Sequence, residues 1–171
     1  MTERAPGPVL LCYDGSEPAK HAIRHAAGLL GGGPAVVLTV WETGGSVLLR
    51  APGESIELGR EFKDIAEDVL AEFDSGIAEQ AQAVADEGAE LARAAGFDAQ
   101  PEARRAVARA AERDTVTVWR AVLDAADERD AAVLVLGASG RSALGSALLG
   151  SVSYGVVHHS RRPVLVVPPA D

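Results

Sequence analysis

Positive charge is scarce in this chain. Its 171 residues carry a formal net charge of −9, because 25 Asp and Glu outnumber 16 Lys and Arg. A surface that binds nucleic acid or an anionic membrane needs clustered basic residues, so the balance argues against both partners. A leader peptide is not recognised, and apolar runs stay well short of the roughly 20 residues that span a bilayer. We therefore expect a cytoplasmic protein.

Cysteine is also nearly absent. The single Cys12 excludes an internal disulfide, and its apolar neighbours favour a small buried hydrophobic residue over a redox centre. The apolar residues, 47% of the chain, are enough for one well-filled core. We predict a single domain over residues 1–171.

Short apolar runs alternate with helical patterns along the chain. Strands are predicted at 8–13, 35–41, 97–108, 131–136 and 164–167, and helices from Ser16, over 62–95, from Thr115 or Thr117, and from Ser151. Residues 43–60 are predicted as a loop or a short broken helix. The third strand competes with a helix, because residues 102–113 also have helical propensity. This order predicts an α/β fold, a parallel sheet with helices on both faces.

Two of these helices carry more detailed predictions. The helix over 62–95 is expected to break at Ser75-Gly76. The helix from Ser151 is expected to place three valines on one face. The predicted buried positions are Ile65, Val69, Phe73, Ile77, Val84 and Leu91 in the former helix and Val152, Val156 and Val157 in the latter.

A loop rich in glycine and serine joins the fourth strand to the last helix. Its spacing is G-x2-G-x9-G-[ST], formed by Gly137, Gly140 and Gly150-Ser151. The first two glycines can take positive φ and admit a ligand close to the backbone. The start of the helix offers unpaired N–H groups, and the Ser151 and Ser153 hydroxyls add donors, so the loop predicts phosphate binding. The alternative is that the glycines form simple turns.

The pattern is neither of the two best-known phosphate loops. It lacks G-x-G-x-x-G after a first strand and the lysine of a Walker loop. Together with VLLCYDGS at 9–16 and the C-terminal segment 151–168, it resembles the nucleotide-binding branch of the universal stress protein family. The likeness is weak only between about residues 43 and 115.

That resemblance implies a Rossmann-like sheet of strand order 3-2-1-4-5 and an adenine nucleotide, ATP with Mg²⁺ as a candidate companion ion, as the ligand. In this order the carboxyl ends of strands 1 and 4 meet where the winding reverses, which is where such sheets bind ligands. Asp14 follows the first of these strands and Gly137 the second.

The resemblance also implies which residues bind the ligand. Asp14 would accept hydrogen bonds from ribose or from the adenine amino group, or else cap the next helix. Val40 would form an apolar wall or belong to the core, and Arg141 would pair with a phosphate oxygen or lie in solvent. The candidate binding residues are Tyr13, Asp14, Val40, Gly137, Ser139, Gly140, Arg141, Gly150, Ser151, Val152 and Ser153. Trp41 is expected near enough to the crevice to contact a base.

Catalytic and metal-binding constellations are not recognised. His158 and His159 are adjacent on a helix and point about 100° apart, so a surface or interface role is predicted for them. Three functions stay open: an ATP-binding stress or signalling module, which is favoured, a nucleotide-free structural dimer module, and an enzyme that slowly hydrolyses ATP. The sequence does not identify a client protein.

The last strand, Val164–Val167, is apolar throughout and lies between Pro163 and Pro168. In the implied order it is an edge strand, which would leave unpaired N–H and C=O groups in a monomer. The pattern and the resemblance both predict a homodimer through this strand.

Overall fold

A computed structural model describes residues 7–42, 60–106, 118–138 and 149–170. In the second helix, side chains are described from Asp74 onward. The strands are β1 (Val9–Cys12), β2 (Gly33–Glu42), β3 (Phe97–Ala106), β4 (Val133–Gly137) and β5 (Val164–Val167). The helices are α1 (Glu17–Leu30), α2 (Arg60–Ala94), α3 (Val118–Glu128) and α4 (Ser151–His159). The predicted loop over 43–60 and the two alternative starts of the third helix fall almost wholly outside the described residues.

The strands form one parallel sheet of order β3-β2-β1-β4-β5. This confirms the predicted fold class and strand order. Because β2 and β4 are both parallel to β1, all three strands end at the same edge of the sheet. The winding reverses between β1 and β4, which leaves a crevice at this edge.

Helices cover both faces of the sheet. Alternate residues of a strand point to opposite faces. Leu11 and Tyr13 therefore pack with α1 and α2, whereas Leu10 and Cys12 pack with α3 and α4.

The predicted start of α1 is confirmed in atomic detail. Ser16 is its N-cap, and the Ser16 hydroxyl accepts a hydrogen bond from the Ala19 N–H at 3.3 Å. Gly31 ends the helix with a left-handed backbone at φ 75°. The first turn of α1 is thereby fixed beside the carboxyl end of β1.

The predicted break in α2 at Ser75-Gly76 is wrong, since the helix runs unbroken to Ala94. A helical glycine costs only about 1 kcal/mol, which the packing of a long helix outweighs. The expected buried face is also displaced, because Ile77, Val84 and Leu91 are half-buried. Small residues fill the buried face instead: Ala81, Ala85, Gly88, Ala89 and Ala92. The side chains of Ile65, Val69 and Phe73 lie outside the described part.

One valine of α4 is misplaced in the same way. Val156 is fully buried and Val152 half-buried, but 46% of Val157 is exposed. Consecutive helical residues are turned by about 100°, so Val157 leaves the face that Val156 buries.

Over residues 102–106 the chain is strand and not the competing helix, and β3 pairs with β2 along its whole length; residues 107–113 of that competing helix lie outside the described residues. Charged side chains of β3 are held by ion pairs. Arg104 contacts both Glu102 and Glu128, and Arg129 contacts Glu102 at 2.7 Å. These pairs suit an edge strand, as predicted from its arginines.

Candidate functional site

A cavity of about 300 Å³ opens at the carboxyl ends of β1, β2 and β4. It lies where the sheet reverses its winding and where α1, α3 and α4 begin. It is lined by Cys12, Tyr13, Asp14, Ser16, Ala19, Leu38, Val40, Val118, Val122, Leu136, Gly137, Gly150, Ser151, Val152 and Ser153. All eight candidate residues that fall in described segments border this one cavity.

Asp14 stands at the turn between β1 and α1. One of its carboxylate oxygens accepts a hydrogen bond from the Ser16 N–H at 3.0 Å. Asp14 therefore forms the turn that the sequence offered as its structural role. It is half-buried and borders the cavity, so its second role as a ligand-binding group is sterically open.

Hydrogen bonds tie the two ends of the glycine loop together. The Gly150 N–H donates to the Ala138 carbonyl at 2.8 Å, and the Ser153 hydroxyl donates to the Gly137 carbonyl at 2.8 Å. The start of α4 is thus fixed to the end of β4. The Ser153 hydroxyl proton is engaged by this bond, so its predicted donation to a phosphate stays a prediction.

The first turn of α4 lacks a side-chain cap. Gly150 is the N-cap, and because glycine has no side chain, the first N–H groups of the helix receive no hydrogen bond from a capping side chain. The N–H groups of Ser151, Val152 and Ser153 precede the first intrahelical bond, which the Tyr154 N–H makes to the Gly150 carbonyl at 2.8 Å. A helix start of this kind attracts an anion through its N–H groups and its dipole.

The positive φ expected at Gly137 is absent. Among the described glycines with positive φ, Gly137 does not appear. It ends β4, and a Cβ there would lie 3.1 Å from the Pro18 backbone and 3.2 Å from the Pro18 Cβ. A side chain at position 137 would therefore crowd the first turn of α1, which lies close to the end of β4.

Two aromatic residues that the sequence placed at the crevice face the other way. Tyr13 borders the cavity, but its hydroxyl donates to the Glu87 carboxylate of α2 at 2.8 Å. Trp41 does not line the cavity, and its ring lies 5.8 Å from the guanidinium of Arg105, which also pairs with Asp74 of α2. Both are displaced by the alternation of side chains along a strand, since Asp14 and Val40 have the opposite parity.

The cavity has an apolar wall that sequence reasoning largely missed. Val40 is part of it, as predicted. The residues missed are Cys12, Leu38, Val118, Val122 and Leu136. Counting in steps of two from Val40 and Asp14 would have found Leu38 and Cys12. The residues of α3 carried no such signal, because its start lies far from any motif.

Burial and, to a smaller extent, the nearby Asp14 carboxylate raise the pKa of the Cys12 thiol from its ordinary 9.0 to about 12. The thiol is therefore neutral at physiological pH and contributes to the apolar wall. This agrees with its interpretation as a small hydrophobic residue.

Asp14 is the one charged residue among the lining residues of the described segments. Ser139, Gly140 and Arg141 lie outside those segments, so their predicted contacts with phosphate stay predictions. In the described segments the positive potential at the site therefore comes from helix starts, chiefly the uncapped start of α4, and not from basic side chains.

The two histidines at the end of α4 are exposed and stack with aromatic residues. His159 lies on Trp119 with ring centroids 4.4 Å apart, and His158 lies on Tyr154 at 5.8 Å. Within the described residues, clusters of three or more metal-ligating side chains are not found. In the same residues, no helix is both long and apolar enough to cross a membrane.

The fold and this site can now be compared with known proteins. The model of the universal stress protein family matches residues 7–168. The chain belongs to the universal stress protein family. No match was found among curated protein sequences.

Solved structures agree with this family assignment. Hypothetical protein MJ0577 is 21% identical and has a TM-score of 0.70, with 96% of this chain and 97% of that chain covered. A universal stress protein in complex with cAMP is 24% identical, with a TM-score of 0.54 and coverage of 98% and 100%. The universal stress protein from Archaeoglobus fulgidus in complex with dAMP is 20% identical, with a TM-score of 0.53 and coverage of 95% and 98%. These likenesses establish the shared fold.

Proposed function

We infer that this universal stress protein binds an adenine nucleotide, and we propose ATP as that nucleotide. The inference rests on one cavity that combines an apolar wall, the Asp14 carboxylate and the uncapped start of α4. These three features match the three parts of a nucleotide: base, ribose and phosphate. Known ligand pockets begin at roughly 300 Å³, so a cavity of about 300 Å³ suits a nucleoside with its phosphates at the rim.

Two relatives support the choice of nucleotide class. One was solved with cAMP and another with dAMP, and both ligands contain adenine and a phosphate group. Transfer of this property to the present chain is our proposal.

In the proposed complex the base packs against the apolar wall that includes Val40, Cys12 and Val122. The Asp14 carboxylate accepts a hydrogen bond from a ribose hydroxyl or from the adenine amino group. The phosphates accept hydrogen bonds from the N–H groups of Ser151, Val152 and Ser153. Gly137, Ser139, Gly140, Arg141 and Gly150 complete the proposed phosphate site.

Mg²⁺ would be held chiefly by the phosphates. The described segments contain no cluster of three carboxylate, histidine or cysteine ligands, and Asp14 is the nearest candidate ligand. A cation between Asp14 and the phosphates would also offset the repulsion between their negative charges.

The proposed role is that of a nucleotide-dependent stress or signalling module rather than a dedicated catalyst. The Cys12 thiol is neutral, the Tyr13 hydroxyl is engaged with Glu87, and one oxygen of the Asp14 carboxylate already accepts the hydrogen bond of a turn. The described wall thus offers little general-base chemistry toward a phosphate. We further propose that residues 1–171 form one domain and that the protein forms a homodimer.

Calorimetry with ATP and GTP, each with Mg²⁺, tests the proposal. We expect tighter binding of ATP, and we expect Asp14→Asn to weaken it about tenfold or more, since hydrogen bonds to charged groups contribute roughly 1.5–3 kcal/mol. Asp98→Asn is the matched control, because Asp98 is exposed at the amino end of β3, on the opposite edge of the sheet. Equal affinity for both nucleotides, or none at millimolar concentration, would overturn the adenine assignment.

A further inference from the structure

Tyr13 is held on every side at the point where β1 ends. Its N–H donates to the Leu38 carbonyl at 2.9 Å, and its carbonyl accepts a hydrogen bond from the buried Thr39 hydroxyl at 2.9 Å. Only 3% of the residue is exposed. The backbone of Tyr13 is therefore fixed to β2 immediately before Asp14.

The side chain of Tyr13 reaches through to α2. Its hydroxyl donates to Glu87 at 2.8 Å, and Glu87 also pairs with Lys20 of α1 at 3.4 Å. The hydrogen bond from Tyr13, followed by that from Lys20, lowers the pKa of the Glu87 carboxyl, so Glu87 is a charged acceptor at neutral pH. One hydroxyl thus connects the end of β1 to the two helices on that face.

The ring of Tyr13 has little room to move. A Cβ at Gly88 would lie 2.5 Å from the Tyr13 Cδ1 and 2.8 Å from the Val37 Cγ1. The glycine lets α2 approach until its backbone covers the ring. Packing and the hydroxyl hydrogen bond therefore select one orientation of Tyr13.

We propose that Tyr13 is a positioning residue for the ligand site, which sets the Asp14 carboxylate through the Tyr13–Glu87 hydrogen bond on the far face of the sheet. The proposal rests on the proposed nucleotide site. It assigns Tyr13 no contact of its hydroxyl with the ligand. It also implies that a shift of α2 would move the Asp14 carboxylate and change the affinity of the ligand site.

Calorimetric titration of ATP into a set of variants tests this. Tyr13→Phe and Glu87→Ala each remove the hydrogen bond and should weaken binding about three- to tenfold. Glu87→Gln keeps an acceptor and should recover most of the affinity. Lys20→Met removes the neighbouring charge but leaves the Tyr13–Glu87 bond, so it should bind ATP as the wild type does.

A double-variant cycle separates positioning from general stability. If Tyr13 acts through Asp14, adding Tyr13→Phe to Asp14→Asn should cause little further loss of affinity. A full additional loss, or an equal loss in Lys20→Met, would overturn the proposal.

Hydrogen exchange of the nucleotide-free protein keeps the two proposals distinguishable. In Tyr13→Phe the Ser16 amide, which donates to Asp14, should exchange about three- to tenfold faster, whereas Leu10 in the middle of β1 should not change. A wild type that binds no nucleotide would overturn the proposed function, and this measurement would still test the effect of Tyr13 on Asp14. Unchanged exchange at Ser16 would overturn the positioning role.

Discussion

Ser153 shows how single residues connect the ligand site to the fold. It is buried, and its hydroxyl donates a hydrogen bond to the Gly137 carbonyl. Its N–H belongs to the first turn of α4, which faces the proposed phosphate site. The same residue thus fixes α4 with its side chain and offers its backbone to a ligand.

Cys12 gives a prediction at this scale. With a pKa near 12 instead of 9.0, its thiolate fraction at pH 8 should be roughly a thousandfold below that of an ordinary thiol. Alkylation by iodoacetamide should therefore be very slow at pH 8. The rate should rise with pH toward 12.

The chain unfolded in urea is the control, because its Cys12 is solvated and should react with a midpoint near pH 9. Mass spectrometry measures both rates on the same residue. A folded protein that reacts as fast as the unfolded chain would show that the pKa of the Cys12 thiol is not raised.

Most of the candidate site was accessible from the sequence. Asp14, Gly137 and the segment Gly150–Ser153 reach one cavity because motifs mark them and parallel strands end at a common edge. Trp41 was misjudged because proximity along the chain was allowed to outweigh the two-residue period of a strand, whereas Tyr13 borders the cavity but turns its hydroxyl toward Glu87. The hydrogen bond from the Ser153 hydroxyl to the Gly137 carbonyl depends on tertiary packing, so the local sequence around Ser153 did not indicate it.

At the scale of elements, α3 and α4 are joined through a glycine and an aromatic ring. A Cβ at Gly155 would lie 2.4 Å from the Trp119 ring, on which His159 also stacks. Val122 of α3 and Val152 of α4 both line the cavity. The spacing between these helices therefore sets the width of the proposed base site.

We predict that Gly155→Ala destabilises the protein by about 1–3 kcal/mol, because the new methyl group overpacks against Trp119. Gly76→Ala is the matched control. Its Cβ would meet open space inside an unbroken helix, so it should stabilise by about 0.5–1 kcal/mol. Urea unfolding followed by circular dichroism measures both.

These variants also test the two helices separately. A loss of stability in Gly76→Ala would restore the predicted break at Ser75-Gly76. A neutral Gly155→Ala would mean that Trp119 has room to move, and the width of the cavity would then not depend on this contact.

The hydrophobic periodicity of the sequence predicted which segments form strands and helices better than it predicted which of their residues are buried. Strand β3 formed despite its helical propensity because pairing with β2 satisfies its backbone along 10 residues. The face of α2 was misjudged because large apolar residues were expected to be buried. Alanine and glycine are buried instead, since they let the helix approach the sheet closely.

For the whole molecule, the two edges of the sheet differ in character. Edge strand β3 carries Pro101 and the two ion-paired residues Arg104 and Arg105, which oppose pairing with another chain. Edge strand β5 is VLVV, and its first three residues stay half-buried within the single chain. The strand order implied by the family resemblance was needed to recognise these edges, because right-handed crossovers alone allow several orders.

We predict a homodimer in which β5 pairs with its two-fold copy, since this covers the apolar edge and satisfies its backbone groups. Val166→Lys should shift the protein to monomers. Gln100→Lys on β3 places the same charge on the other edge and should leave the dimer intact. Sedimentation velocity measures all three proteins.

A monomeric wild type would contradict this prediction, as would a fully dimeric Val166→Lys variant with an unchanged circular dichroism spectrum. Dissociation by both lysine variants would point to net charge rather than to the β5 edge as the cause.

The hydrogen bond between Gly150 and Ala138 has a consequence for how this protein can change over evolution. It joins the chain before and after residues 139–149, so the sheet and α4 meet at a closed junction. Because this bond joins two backbone groups, it is kept under substitution at either position, except by proline at 150, which has no N–H to donate. The side chains at the junction can therefore change over evolution while the connection between the sheet and α4 is inherited intact.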